Sequence, residues 1–363
     1  MTSQIFKNSF LVIASLLIAM LLSEMFFRLF LPQTFEVHPP GMYAGDQEVG
    51  YVLTPGFKGT IRRAEFEIPF QVNQFGLRGK EFRSPRPNTF RILILGDSQA
   101  FGFGVRDNET FSFQLEELLS QHYVNHDIQV LNCGVPGYGT VDQLAFLKSR
   151  GLLLKPGLII LQFLSVNDFQ ENRSAAGEWA EVQDGVLMVK TDVLDPEHSL
   201  PLWRRLQDWL KSNIHLARLL SDRLGYLAMR WGILGKMESF WGEDFSEEDA
   251  KITENYLLQI AEGSRKLSAY CIFLYTTGQV HVFSDTHTKL RSADFMEVTA
   301  RKADIPWINS QDFLRNRTDK FDLYYRMDGH WTAAGHQAIA EILFENIIKL
   351  NLIPEVNKTT LQE

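Results

Sequence analysis

Cysteine is nearly absent. Only Cys133 and Cys271 occur in 363 residues, far apart and each in or beside an apolar run. That excludes a disulfide framework and, without a CxxC pair, a cysteine-based zinc site, so both read as buried structural thiols. Concentrated positive charge is absent too. The formal net charge is −8 and no stretch gathers the lysines and arginines that phosphate contacts need, so a nucleic-acid partner is excluded. No GxxxxGKS/T or GxGxxG fingerprint supports nucleotide binding, and no GxSxG elbow is present. His281, Asp285 and His287 lie in a loop-like stretch without HExxH spacing, and neither a metal nor a cofactor is expected. Internal repeats and low-complexity tracts are missing as well. What remains is the composition of a globular protein, 45% hydrophobic and 22% charged, long enough for one large domain with insertions or two ordinary ones.

One long apolar run is present. From Ser9 to Leu31 the chain reads SFLVIASLLIAMLLSEMFFRLFL, long enough for a transmembrane helix at about 1.5 Å per residue. Its charges are Glu24 and Arg28, four residues apart with the acid first, an order that pairs them on one helix face near a membrane boundary. Lys7 precedes the run while Glu36, Asp46 and Glu48 follow it. The positive-inside bias therefore puts residue 1 in the cytoplasm and everything after about residue 32 outside, which is periplasmic in a Gram-negative bacterium. Phe10 to Leu22 resembles a signal-peptide core, but no small-x-small site follows, and an uncleaved single-pass anchor is expected.

Residues 32–88 hold Pro32, Pro39-Pro40, Gly50, Pro55, Gly56 and Gly59 between short alternating stretches, which reads as a linker and a small β-rich segment. From Arg91 the pattern changes. RILIL (91–95), IQVLN (128–132), LIILQF (158–163) and YCIFLY (270–275) alternate with amphipathic stretches such as the one carrying Phe111, Leu115, Leu118 and Leu119. Continuous apolar strands separated by helices indicate a parallel sheet covered on both faces, an α/β doubly wound core. About a hundred residues separate the third and fourth runs, so an insertion is expected at about 173–265. Within it Leu202, Leu206, Trp209, Leu210, Ile214 and Leu216 stand among basic side chains; an amphipathic helix pair packed on the core is expected, with a membrane-interface or lid role as the other reading. The resulting division is an anchor at 1–31, the linker and β-rich segment at 32–88, a catalytic domain at 89–352 and a tail at 353–363.

RILIL runs into Gly96-Asp97-Ser98, which places Ser98 on a turn at the carboxyl end of a strand, where doubly wound sheets bind ligands. Alone, this tripeptide is equally a helix cap. Three further segments follow the other strands and the last loop: Asn132-Cys-Gly134-Val-Pro-Gly137-Tyr-Gly139-Thr, Ser165-Val-Asn167-Asp168, and Asp328-Gly-His330. A hydroxyl, a glycine amide, a carboxamide and an acid–imidazole pair thus fall at strand ends in one chain order. A serine hydroxyl needs a hydrogen-bonded base to attack at neutral pH, and an imidazole held by a carboxylate supplies it. His336 reads as a partly exposed or capping side chain and Asp168 as a loop-fixing one.

These segments resemble the SGNH/GDSL hydrolase family, whose four signature residues correspond to Ser98, Gly137, Asn167 and His330. The resemblance runs from about residue 90 to 350, excluding the insertion. It implies a three-layer α/β sandwich, flavodoxin-like, with Ser98, His330 and Asp328 as catalytic residues. It also implies an oxyanion hole made by the Ser98 and Gly137 amides and the Asn167 side chain. Ser165 stands where the family has glycine, and Asp328-x-His330 is one residue shorter than the family's last block. The shorter form is similar to polysaccharide O-acetyltransferases of the alginate acetylation type. The expectation is a serine esterase or O-acyltransferase acting on acyl esters, O-acetyl foremost, of a carbohydrate or other small molecule, at the membrane and beside cell-envelope or polysaccharide-export machinery. A catalytically idle scaffold that binds polysaccharide or organises a membrane assembly is the alternative.

Overall fold

A computed structural model describes residues 2–33, 38–63, 65–178, 180–190, 202–230, 245–284 and 289–354. Asp285, His287 and residues 355–363 of the tail lie outside the described residues. The chain forms two compact units, one from residues 1–37 and 195–236, the other from 38–194 and 237–363.

The larger unit begins with two antiparallel hairpins, β1 (Tyr43–Asp46) with β2 (Gly50–Leu53) and β3 (Lys58–Arg62) with β4 (Glu67–Gln71). Next come β5 (Thr89–Leu95), β6 (Asp127–Asn132) and β7 (Leu158–Leu164), a third hairpin of β8 (Ala180–Gln183) and β9 (Val186–Val189), then β10 (Tyr270–Thr276) and β11 (Trp307–Asn309). The central sheet is parallel, in the order β11-β10-β7-β5-β6. Counted by appearance within the sheet, this is the flavodoxin-like order 2-1-3-4-5, and the strand order reverses at β5, beside β7.

Side chains alternate across each strand, so the sheet divides its apolar residues between two cores. Leu93, Leu95, Ile159, Leu161 and Phe273 join one core with residues of the Thr140–Ser149, Glu247–Lys266 and Arg291–Ala303 helices. Ile92, Ile94, Ile160, Ile272 and Leu274 join the other with residues of the Phe111–His122 and Ala333–Lys349 helices. Because helices cover both faces, the strands read as unbroken apolar runs. The Phe111–His122 helix buries Phe111, Leu115 and Leu119 at one-turn spacing, with Leu118 packed at the edge. The result is a three-layer α/β sandwich.

Some elements differ from the sequence reading. The Glu247–Lys266 helix falls largely inside the range 173–265, yet it packs against the Thr140–Ser149 helix and β10 as the crossover helix leading into β10. A reciprocal cap between Ser246 and Asp249 starts it. The three-residue β11 was not anticipated, because so short a run carries no periodicity. Tyr43, Tyr51, Leu53 and Phe70 of the N-terminal hairpins are buried in the first core, so both hairpins are a packed part of this unit. His336 is fully buried, not partly exposed. It lies on the core face of its helix, stacks on Phe111 with ring centroids 5.9 Å apart, and accepts the Phe111 N–H at Nδ1 at 3.2 Å.

Among the described residues, the smaller unit holds three helices, Thr2–Phe30, Leu202–Asn213 and His215–Arg230. The segment Lys7–Phe30, whose most apolar 18 residues have a mean hydropathy of 2.4, is long and apolar enough to cross a membrane. Glu24 and Arg28 form the expected i,i+4 ion pair at 2.7 Å. Leu202, Trp203, Leu206 and Trp209 of the insertion helices are exposed, and both helices belong to the unit containing the apolar N-terminal helix.

Burial keeps His336 neutral, pushing its pKa from 6.5 to about 3. Between those values the unfolded chain binds a proton that the folded chain refuses, so stability is complete above pH 6.5 and falls as pH drops toward 3. His336→Gln retains an acceptor for Phe111 and removes the titration. It is expected to reduce the acid decline of the thermal midpoint measured in detergent; an unchanged slope counts against a neutral buried ring.

Candidate active site

The site starts where β5 ends. Gly96 follows the strand, and a Cβ there would lie 2.4 Å from Gln162 Oε1 and 2.5 Å from Ala100 Cβ. Only glycine lets the chain turn this closely against β7. Asp97 caps the next turn through the Gln99 N–H at 2.8 Å, while its own N–H donates to Gln162 Oε1 at 3.2 Å. Ser98 opens the short Ser98–Phe101 helix. The residue therefore stands at the carboxyl edge of the sheet, beside the point where strand order reverses.

The imidazole arrives from the other end of the chain. His330 Nε2 lies 2.8 Å from Ser98 Oγ, and His330 Nδ1 is hydrogen-bonded to Asp328 Oδ1. Gly329 between them has φ +85°, a left-handed value that glycine adopts without Cβ strain. This folds the two-residue Asp-x-His spacing so that both side chains meet. Tyr325 N–H donates to His330 O at 2.8 Å and Gly329 N–H to Tyr325 O at 2.9 Å, closing the loop on itself. Burial pushes the Asp328 carboxyl up, but the hydrogen bond and charge of His330 and the nearby Arg63 guanidinium hold it below its ordinary 3.8. An ionised Asp328 favours the Nδ1–H tautomer, which leaves the Nε2 lone pair facing the hydroxyl.

Ser98, Asn167, Asp328 and His330 line one cavity of about 130 Å³, with Leu164 and Val166 as its apolar wall. Gly137 is not among the residues lining it; it stands in the turn after β6, and Cys133 and Val135 of that turn donate to Ile94 O and Gly96 O at the end of β5. Among the described residues, neither the Ser98 nor the Gly137 N–H has an acceptor. The Asn167 amide is engaged: Nδ2 donates to Glu171 Oε1 at 3.0 Å and, at 3.4 Å, to Asp97 Oδ2. Burial pushes the Asp97, Asp168 and Glu171 carboxyls up, and for Asp168 and Glu171 the neighbouring carboxylates add to it. Asp168 accepts the Leu164 N–H, fixing the loop after β7.

Several neighbours escaped sequence reasoning. Glu65, in the β3–β4 hairpin, accepts three consecutive backbone N–H groups, from Arg326 at 3.0 Å, Met327 at 2.8 Å and Asp328 at 2.9 Å. Arg63 lies 3.6 Å from Asp328 Oδ2 and over the Phe103 ring at 5.3 Å, and Phe103 packs on the His330 imidazole at 4.8 Å. Gln99 Oε1 accepts the Trp331 N–H at 3.1 Å. Adjacency to Ser98 was a signal for Gln99. Glu65 offered none, because it sits more than 260 positions from the loop it holds. Cys133 and Cys271 are free and buried, and burial pushes the Cys271 thiol up to about 12. No group of three or more histidine, cysteine or acidic side chains fit for a metal occurs among the described residues.

No protein-family profile matches the chain and no curated protein sequence matches it. Among solved structures it is similar to LAE5, an alpha/beta hydrolase enzyme from the metagenome of Lake Arreo, Spain, at 13% identity over 73% of this chain and 96% of that one, with a TM-score of 0.42. It is similar to a two-domain esterase (CEX) active on acetylated mannans, at 13% identity over 74% of this chain and 52% of that one, with a TM-score of 0.43. It is also similar to Axe2, an acetylxylan esterase from Geobacillus stearothermophilus, at 14% identity over 71% of this chain and 94% of that one, with a TM-score of 0.41.

The three bonds to Glu65 make a specific prediction. Glu65→Ala frees the loop carrying Asp328 and His330. It is expected to slow covalent labelling of Ser98 by a fluorophosphonate about ten- to a hundredfold, the scale of a displacement near 1 Å. The thermal midpoint should move little, and Glu65→Gln should recover part of the rate. Unchanged labelling in Glu65→Ala would show that the hairpin does not hold the loop.

Proposed function

We propose that the chain is a membrane-anchored serine ester hydrolase or O-acyltransferase in which Ser98 is the nucleophile and His330 the base. The observation that carries this reading is the continuous hydrogen-bond chain from Ser98 Oγ through His330 to Asp328, bordering a cavity at the sheet edge. In the first step Ser98 Oγ attacks the ester carbonyl carbon as its proton passes to His330 Nε2. The tetrahedral intermediate collapses, and the same proton leaves with the departing alkoxide, giving an acyl-serine. Asp328 orients the imidazole and stabilises its cationic form in between. In the second step a water or sugar hydroxyl gives a proton to His330 and takes the acyl group, and Ser98 regains its proton.

The developing oxyanion needs fixed donors, each worth about 3 kcal/mol in the transition state. The Ser98 and Gly137 N–H groups and the Asn167 carboxamide are assigned that role; the Asn167 amide reaches it by giving up its weaker contact to Asp97. A cavity of about 130 Å³ walled by Leu164 and Val166 suits a short acyl group, O-acetyl foremost. The net charge of −8 suits a neutral carbohydrate as the esterified molecule. With the N-terminal helix as anchor and Lys7 on the cytoplasmic side, the catalytic unit faces the cell envelope, where esterified polysaccharides are exported or assembled.

A chromogenic acetyl ester and a fluorophosphonate test the reading together. The full chain should release acetate and label at Ser98, and Ser98→Ala should do neither; absence of both reactions in the parent chain would leave an idle glycan-binding scaffold. Added oligosaccharides that become acetylated, by mass, at the expense of free acetate would identify transfer. Asp328→Asn is expected to lower kcat by about 10²–10⁴. Because Asp328 is held below 3.8, its contribution persists across neutral and mildly acid pH and is lost only as pH falls through that lowered value.

A further inference from the structure

The Leu202–Asn213 helix has an uncovered face. At 100° per residue, Leu202, Trp203, Leu206, Trp209 and Leu210 fall on one side, with Arg205 and Gln207 flanking that face and Lys211 and Ser212 on the far side. Leu202, Trp203, Leu206 and Trp209 are between 54% and 81% exposed. Soluble surfaces rarely leave two tryptophans and two leucines together in water.

The hydrogen bonds within this unit say what covers them. Glu24, on the apolar N-terminal helix, accepts the His215 and Leu216 N–H groups at 3.1 and 2.9 Å and so caps the following helix. Arg28 donates to Asn213 O at 3.2 Å, the last residue of the amphipathic helix. Gln33 N–H donates to His215 Nδ1 at 2.7 Å. The junction of the two insertion helices is thereby fixed to residues 24–33. Counting from Lys7, a hydrocarbon core of about 30 Å is crossed in roughly 20 residues, which ends near Phe26–Phe27. The junction therefore sits at the level where lipid chains give way to headgroups. Tryptophan and a leucine face opposed by basic side chains are what that boundary accepts.

We infer that the Leu202–Asn213 helix lies in the plane of the membrane interface, with Leu202, Trp203, Leu206 and Trp209 in the headgroup–acyl boundary on the side to which the catalytic unit projects. The partner is the lipid bilayer itself, and the inference rests on the anchoring reading above. The consequence is a two-point attachment, one helix through the membrane and one along it.

The test uses the full chain in phosphatidylethanolamine–phosphatidylglycerol vesicles. Both native thiols are buried, so an environment-sensitive fluorophore is placed at Ile18→Cys, Leu206→Cys, Trp209→Cys or Gln207→Cys, and nitroxide lipids carry the quencher near the headgroup or deep in the chains. The Leu206 and Trp209 probes should be blue-shifted and quenched about twofold or more by the shallow nitroxide, the Gln207 probe much less, and the Ile18 probe by the deep one. If Ile18 is quenched while Leu206 and Trp209 behave like Gln207, the interfacial helix is wrong and the anchor stands. A blue shift without quenching means that protein covers the face and also overturns the inference. An unquenched Ile18 probe removes the anchor and this inference with it.

Discussion

The hydrogen bond between Ser98 Oγ and His330 Nε2 spans 232 positions of sequence, and nothing local brings those atoms together. It forms because the turn after β5 and the loop before the last helix both reach the carboxyl edge of one parallel sheet. The sheet is rigid there for a packing reason: its strands are buried on both faces, and the two cores lock its position. The loop carrying His330 has no strand of its own to hold it. It is fixed by its own Gly329 turn, by Gln99 next to the proposed nucleophile, and by three bonds to Glu65. A hairpin outside the doubly wound core thus completes the geometry within it.

Beneath the hydroxyl lies a buried polar layer. Asp97, Gln162, Thr276, Asn167, Asp168 and Glu171 lie on or just after β5, β7 and β10, and most are joined by hydrogen bonds. Burial raises the carboxyls of Asp97, Asp168 and Glu171, and for Asp168 and Glu171 the neighbouring carboxylates add to it, because acids this close together in a low-dielectric interior cannot all ionise. Asn167 bridges this layer and the cavity. The same contacts that keep its amide ordered also occupy its donors, so the proposed oxyanion role requires the weak 3.4 Å contact to Asp97 to give way.

The second unit answers a different physical demand. Its longest described helix is apolar over most of its length and its neighbour is apolar on one side, a combination that water does not favour for either. Glu24 and Arg28 serve both helices, pairing with each other and satisfying backbone groups at the junction of the insertion helices. The charged pair legible in the sequence is thus also the bracket that ties a distant insertion to the N-terminal helix.

How much of this was readable beforehand follows from the range of each interaction. The four long sheet strands, the helices at 111–122 and 333–349, the Glu24–Arg28 pair and the segments carrying Ser98, Asn167 and His330 all leave a local trace. Periodicity, strand-end position and i,i+4 spacing act within a few residues, and the amino-acid order alone determined them. The partners decided by tertiary structure are those whose separation exceeds any local period: Glu65 on the Arg326–Asp328 amides, Gln99 on Trp331, His336 under Phe111, and the insertion helices on residues 24–33. A side chain's chemistry is written at its own position, but which backbone amide or ring it meets is fixed only once the sheet has ordered its strands and the loops have closed above them.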